Sequence, residues 1–243
     1  MKVAAVVPAY NVAKYIGKTI KEMQNCPFID AVIVVDDCST DATYDIASKT
    51  GVILIRHSKN KGVGAAIKTG FKKALEIGSD VAVIVAGDGQ MPVFELPKFL
   101  EKCEDGFGLV IGNRFAENDP RDFGMPTIRY YGAKILSFMT YISTGYHIPD
   151  SQNGYTALTK ETLQRINLDA LANRWGVHND IISRCSVAGV SMTTVPQVSK
   201  FLDDDGKRIK SKVWVWNIIL PNLFVFFKAS IRRILSFIGI KQY

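Results

Sequence analysis

The chain has little of what metal or redox chemistry usually requires. Its four cysteines (Cys26, Cys38, Cys103, Cys185) are scattered with no CxxC pair, and His57, His147 and His178 are equally dispersed. That spacing argues against a zinc site and makes reduced, cytosolic thiols the expectation. There is no internal repeat and no low-complexity linker. The opening MKVAAVVPAYN reads as a short strand and a turn, without the length or cleavage pattern of a signal peptide. A membrane-spanning helix needs ~20 apolar residues. The charge-free stretch Val213–Phe227 has only 15, among them Asn217, Pro221 and Asn222.

What is present is an ordinary globular composition, 47% apolar and 22% charged over 243 residues, enough for one large domain or two small ones. The net charge of +7 is uneven: from Lys200 onward nine basic residues face three acidic ones. A basic tail on a near-neutral body points to an anionic surface, lipid or nucleic acid. The tail's aromatics sit in an apolar run, unlike exposed stacking platforms, so nucleic acid is not expected as a partner.

Strand patterns at 3–7, 31–35, 52–55, 81–85 and 109–111 alternate with helical ones at 13–23, 42–48, 63–77 and 94–103. That rhythm predicts an α/β fold, a doubly wound and mostly parallel central sheet with helices on both faces. A long helix over 126–146, a strand at 156–158, a helix over 179–188 and a strand at 191–195 follow. We divide the chain into a main domain, residues 1–200, and a basic C-terminal segment, 201–243. In the latter, Lys228, Arg232 and Ser236 recur at helical spacing beside Arg233, with Ile231, Ile234, Leu235 and Ile238 opposite and Trp214 and Trp216 ahead. This predicts an amphipathic helix with its cationic face at a membrane interface; packing on the domain or on a second copy is the alternative.

Three stretches carry chemistry. VIVVDDCSTDAT ends a strand on Asp36 and Asp37, two adjacent carboxylates that are costly unless they bind something; either can accept from a nucleobase N–H or a ribose hydroxyl. Asp41 reads as a cap for the turn at Thr43. HSKNKGVGAA lacks the third glycine of a dinucleotide fingerprint, yet Gly62 opens a helix N-terminus beside Lys59 and Lys61, which suits a phosphate. DVAVIVAGDGQMP ends a buried strand on Asp88 between Gly87 and Gly89, with Gln90 next. Such a site, just past the carboxyl end of a strand, is where open sheets hold ligands. Asp88 and Gln90 can offer oxygens to Mg2+ or Mn2+, which complete their shells with diphosphate oxygens and water.

In order along residues 3 to 200, VVPAYN, VVDDCSTDAT, NKGVGAA, AGDGQMP, IGNRF, MPTIRYYG and DSQNGY resemble the motifs of family 2 glycosyltransferases of the GT-A fold, in particular the dolichyl- and polyprenyl-phosphate mannose or glucose synthases. The resemblance implies that Pro8, Ala9 and Tyr10 line the nucleoside pocket with Asp36 or Asp37 on base or ribose, Lys61, Gly62 and Gly89 beside the donor. Asp88 becomes the metal-binding member of a DxD motif whose first position is Ala86 here, with Gln90 assisting. Val12 stands where mannose synthases carry Glu, so the resemblance names no sugar or nucleotide. It places Arg114 and Arg129 at the acceptor-phosphate clamp, joined by Arg208, Lys210 and Lys212, and Asp180 at the position used as general base. Asp150 and Gln152 fall where the family contacts the sugar.

The implied reaction is metal-dependent, inverting transfer from a nucleotide-diphosphate sugar to a polyprenyl phosphate, at the cytoplasmic face of the membrane, the enzyme peripheral or monotopic. A lipid phosphate is already anionic and needs no base; a sugar hydroxyl acceptor would need Asp180. Arg114 has a structural alternative, an ion pair with Asp88 or Glu117. Arg129 falls in the first turn of a helix, where a cation is unfavourable unless an anion is near. Two rivals remain: a sugar-nucleotide pyrophosphorylase, disfavoured because no glycine lies between Val6 and Ile16, and a non-catalytic membrane-binding relative, which Ala86 and Val12 alone support. The C-terminal helices offer a surface for homo-oligomer formation.

Overall fold

A computed structural model describes residues 1–198, 201 and 215–237. Seven strands, β1 (Val3–Ala9), β2 (Ala31–Asp36), β3 (Ile53–Arg56), β4 (Val81–Ile84), β5 (Leu109–Asn113), β6 (Thr156–Thr159) and β7 (Met192–Pro196), form one sheet in the order β3-β2-β1-β4-β6-β5-β7. Only β6 is antiparallel to its neighbours β4 and β5; every other pairing is parallel. The predicted α/β class therefore holds, with one reversed strand that the pattern did not reveal.

Alternation along β1 splits the core into two layers. Ala4 and Val6 face α3 (Val63–Glu76), while Val3, Ala5, Val7 and Ala9 face α1 (Ala13–Gln24) and α4 (Leu96–Glu104). Both faces of the central strands are thus covered, which is why they read as continuous β-branched runs. The short α2 (Thr43–Ser48) packs beside α1, and a short α6 (Lys160–Arg165), which the sequence reading missed, follows β6 directly. The N-terminus of α1 has no cap of its own. The loop before α2 supplies one: Ser39 Oγ accepts from Asn11 N–H, Thr43 Oγ1 from Val12 N–H and Asp41 from Ala13 N–H. Asp41 also accepts from Thr43 N–H at 2.9 Å, as the capping assignment required.

Three helices gather beyond the sheet. α5 (Thr127–Thr144), α7 (Val177–Val187) and α8 (Val215–Phe237) pack on one another. α8 is one 23-residue helix that continues through Pro221. Among the described residues no helix is long and apolar enough to cross a membrane.

One residue of the expected cationic face of α8 leaves it, while Lys228, Arg233 and Ser236 stay exposed. Arg232 turns inward, its side chain 12% exposed, and Asn222, Val225, Phe226 and Ala229 are buried with it. Leu220, Leu223, Phe224, Phe227, Ile231 and Ile234 face outward instead. A buried acidic partner on α7 draws the arginine in beside Val225, Phe226 and Ala229, and a second set of apolar side chains is left outside. α5 adds Ile128, Tyr131, Ile135, Phe138 and Ile142 to the exposed apolar surface. Trp214 and Ile238 lie outside the described residues.

Candidate active site

The strand order reverses direction at β1, where the chain moves outward to β2 and β3 and then returns to β4 on the other side. Open sheets of this kind bind ligands at the carboxyl ends beside that reversal. Here that edge carries Pro8 and Ala9 at the end of β1, Tyr10 just after it, and Ala86 to Gln90 after β4. Tyr10 is 47% exposed, and Asn11 behind it holds φ at 53°, a left-handed conformation that turns the chain sharply toward the second loop.

The two carboxylates after β2 do bind something, and in the structure it is the chain itself. The parallel register sets Asp36 against Arg56. Arg56 Nε lies 3.1 Å from Asp36 Oδ2, and Ser39 N–H also donates to that carboxylate. One residue further on, Asp37 Oδ1 meets His57 Nδ1 at 2.6 Å and accepts from Lys61 N–H, while Oδ2 accepts from Gly62 N–H at 2.7 Å. His57 Nε2 in turn meets Thr69 Oγ1 at 2.9 Å. The anion expected at the N-terminus of α3 is therefore Asp37. Gly62, at φ 97°, and Gly64 press against the 172–173 segment, where a Cβ on either would overlap a carbonyl oxygen. The backbone N–H groups of Lys61 and Gly62 are thus spent on this carboxylate. The exposed Lys61 side chain is what remains for a ligand.

Arg114 also differs from expectation. Its partner is Asp150, not Asp88 or Glu117. Nε and Nη2 donate to the two carboxylate oxygens at 2.7 and 2.8 Å, and Arg114 N–H adds a third bond. Both residues are buried. The pair ties the end of β5 to the turn before β6, so Arg114 does not extend toward a ligand as drawn from sequence, and Asp150 is neither a lone turn former nor a free sugar contact.

Asp180 undergoes the largest change of role. It is 2% exposed; Oδ2 accepts from Ala172 N–H at 2.9 Å and Arg184 Nε at 3.3 Å, and Oδ1 from Arg232 Nη1 at 2.6 Å. Two arginines and an amide engage both carboxylate oxygens, so in this structure Asp180 stands as a buried ion pair between α7 and α8 and not as a free carboxylate in the position of a general base.

Asp88 and Arg129 stand apart from these saturated pairs. Asp88 Oδ1 accepts from Gln90 N–H at 3.1 Å, and no ion pair claims the carboxylate among the described residues. Gly89 adopts φ 74° and lets that turn close. Burial raises the Asp88 carboxyl above the ordinary carboxylate range, with Gln90 N–H and the Arg129 charge pulling it back. Arg129 projects from the first turn of α5 and lies 5.2 Å over the Phe201 ring. It makes no hydrogen bond or ion pair among the described residues. The residue is exposed along its length, yet desolvation of its guanidinium, then the nearby Arg114 charge, lowers its pKa to about 10. A cation at a helix N-terminus facing a carboxylate with an open oxygen is an arrangement that anion and cation together would complete. The Asp88 turn fits a divalent cation: one hard oxygen donor, with the Gln90 amide buried beside it. Among the described residues no group of three His, Cys, Asp or Glu side chains assembles, at Asp88 or elsewhere, so a cation there would draw most of its ligands from substrate and water.

His178 was given no role from sequence. Its Nδ1 is buried without a partner among the described residues, and burial, then the Arg114 charge, lowers its pKa to about 4. It packs beside Gly154, near Met91 of the Asp88 turn. Arg208, Lys210 and Lys212 of the expected acceptor clamp lie outside the described residues.

An open, mostly parallel α/β sheet with Asp88 in the turn at the reversal point is similar to the layout of GT-A glycosyltransferases. Residues 4–166 match the family model for glycosyl transferase family 2. The chain belongs to that family and is a glycosyltransferase. It is 35% identical over 189 residues to a UDP-N-acetylglucosamine–dolichyl-phosphate N-acetylglucosaminyltransferase of Methanococcus voltae, covering 70% of this chain and 74% of that one. It is 30% identical over 202 residues to an undecaprenyl-phosphate mannosyltransferase of Micrococcus luteus, covering 81% and 82%. Among solved structures, glucosyl-3-phosphoglycerate synthase from Mycobacterium tuberculosis, in complex with Mn2+, UDP and phosphoglyceric acid, superposes with a TM-score of 0.65 at 17% identity, over 99% of this chain and 80% of that one. That likeness concerns the fold.

Proposed function

We propose that the enzyme transfers a sugar, with inversion, from a nucleotide-diphosphate sugar to a polyprenyl phosphate at the membrane surface. The observation that carries this reading is a carboxylate with no ion-pair partner among the described residues, Asp88, just past the carboxyl end of β4 and close enough to Arg129 to feel its charge. In it, the nucleoside lies against Pro8, Ala9 and Tyr10, with Asp36 and Asp37 stiffening the pocket from behind and Lys61 and Gly89 beside the diphosphate. Asp88 and Gln90 would hold Mg2+ or Mn2+, which would supply positive charge beside the leaving diphosphate. Arg129 receives the acceptor phosphate and aims one oxygen at the anomeric carbon. The new C–O bond forms on one face as the bond to the diphosphate breaks on the other. The attacking oxygen is already anionic at neutral pH, so positioning and charge neutralisation suffice.

This chemistry agrees with the full engagement of Asp180, since no side-chain base is required. It also agrees with relatives named for lipid-phosphate acceptors. The outward apolar residues of α8, with a tail that carries most of the net positive charge, suit docking on an anionic leaflet from the cytoplasmic side. Each well-placed Lys or Arg there adds ~1 kcal/mol.

The test is transfer of radiolabel from a panel of nucleotide sugars to short polyprenyl phosphates with Mg2+, Mn2+ or EDTA, with Asp88→Asn in parallel. Glycolipid that requires metal and vanishes in Asp88→Asn supports the reading. Donor hydrolysis with no glycolipid from any lipid phosphate would overturn the acceptor assignment.

A further inference from the structure

The role of Asp180 follows from what it joins. On one side, Arg232 reaches in from α8, with Nη1 2.6 Å from Asp180 Oδ1 and 3.2 Å from Ser183 Oγ. On the other, Asp180 Oδ2 accepts from Ala172 N–H, and Arg184, on the same carboxylate, donates to Ala170 O at 2.7 Å. The segment so held is the one on which the donor-side turn rests. Ala65 N–H, in the first turn of α3, donates to Asn173 O at 3.1 Å. Gly62 and Gly64 leave no gap against Ala172 and Asn173. Lys68, one turn along α3, donates to Asp169 O and Asn173 Oδ1. The same turn then presents the Lys61 and Gly62 N–H groups to Asp37. α8 also touches this segment directly, since Pro221 and Val225 crowd Gly176. An unbroken series of short contacts therefore runs from the C-terminal helix to the turn at the nucleotide end of the sheet.

We propose that Arg232 and Asp180 are positioning residues for the nucleotide sugar: the C-terminal helix sets the 170–174 segment, and that segment sets the Lys61–Gly64 turn. The donor site is complete only while α8 is seated on α7. The inference rests on the reading that the donor lies at this end of the sheet. Its consequence is specific: losing the Arg232–Asp180 pair weakens the donor through the 170–174 segment, while the α8 contact with α5 at Ile142 is kept and Arg129, at the opposite end of α5, still holds the acceptor phosphate.

The experiment compares full-length Arg232→Met and Arg232→Lys, with Arg233→Met as control. Arg233 donates to Ile142 O on α5 and does not touch Asp180. Three readouts are taken: KM for donor and for acceptor, UDP and GDP affinity with Mn2+, and amide exchange at Gly62, Ala65 and Ala172. We expect Arg232→Met to raise donor KM and nucleotide Kd about tenfold, with acceptor KM within twofold, and to speed exchange at those three amides. The β4–β6 amides stay protected, and Arg232→Lys restores most of the effect. Unchanged exchange at Ala65 and Ala172 in Arg232→Met overturns the proposal. So does an equal rise in both KM values, or protection lost throughout the sheet, which marks a merely structural pair. Exchange is read without substrate, so a wild-type protein that binds neither nucleotide refutes the functional reading while leaving the coupling itself open to measurement.

Discussion

Arg114 and Asp150, 36 positions apart in the chain, meet as a two-pronged buried ion pair, and Arg114 N–H adds a third bond to the same carboxylate. Removing one partner strands the other charge in a site that solvent does not reach. Asp150→Asn or Arg114→Met should each cost ~3–5 kcal/mol, whereas the double variant Arg114→Met with Asp150→Leu should recover most of that loss. Urea midpoints of the three proteins check this; additive losses would show that the two residues are not energetically coupled.

Asp88 presents the opposite balance. Burial raises its pKa, so its charged form is less favourable in the folded chain than in the unfolded one. Stability from a raised carboxyl is present at low pH and lost as pH rises through the folded value, so ionised Asp88 weakens the metal-free fold at neutral pH. Asp88→Asn should therefore melt at a higher temperature than wild type at pH 7 without added cation, and lose transfer by ~10²-fold or more. Calorimetry and initial rates decide it; a lower melting temperature would refute the first half.

The same raised pKa fixes a pH dependence. Only the carboxylate can hold a cation, so kcat/KM should fall on the acid side as Asp88 takes up a proton, at a pH above the ordinary carboxyl value of 3.8. Metal and proton compete, so raising Mn2+ should move that limb to lower pH. A limb indifferent to metal concentration would assign it to another group.

Arg129→Ala should raise the KM for the lipid phosphate and lower kcat/KM for it by ~10²-fold, with donor KM little changed. Arg129→Lys should recover part of the loss, as a point charge lacking the planar fork. Steady-state kinetics with each substrate varied will show whether the effect falls on the acceptor alone.

Docking by α8 should depend on its outward apolar residues. Phe227→Glu with Ile234→Glu should reduce co-sedimentation with anionic vesicles at least tenfold while leaving the melting temperature near wild type, because both side chains are exposed. Undiminished binding would move the membrane contact elsewhere.

Much of this arrangement was legible in sequence because parallel strands buried on both faces leave continuous β-branched runs, and glycine-flanked carboxylates follow them. Strand ends were placed within about two residues, and Asp88 with Gln90 lies just past the carboxyl end of β4. What the sequence concealed were partners brought together by register and tertiary packing. Asp37 and His57 are 20 residues apart, and only the pairing of β2 with β3 sets them side by side. That signal was available: two acids ending one strand, Arg56 and His57 ending the next. Asp150 for Arg114 and Arg232 for Asp180 left no such trace, since they depend on how β6 reverses and how α8 lies on α7. Helical periodicity alone gave α8 two faces and no means of telling which one turns inward.

The reversed strand has a consequence for how the enzyme comes into being. β1 to β4 and their helices are complete by Ile84 and pair among themselves, whereas β6 joins β4 only after 71 further residues have been made, with β5 and α5 between. Closing so long a loop is the slow part of such a topology. Refolding should therefore protect the amides of β1 and β2 well before activity returns. Asp88 belongs to the early half and Arg129 to the late one, so the appearance of transfer activity marks the moment at which the two halves of the sheet are joined.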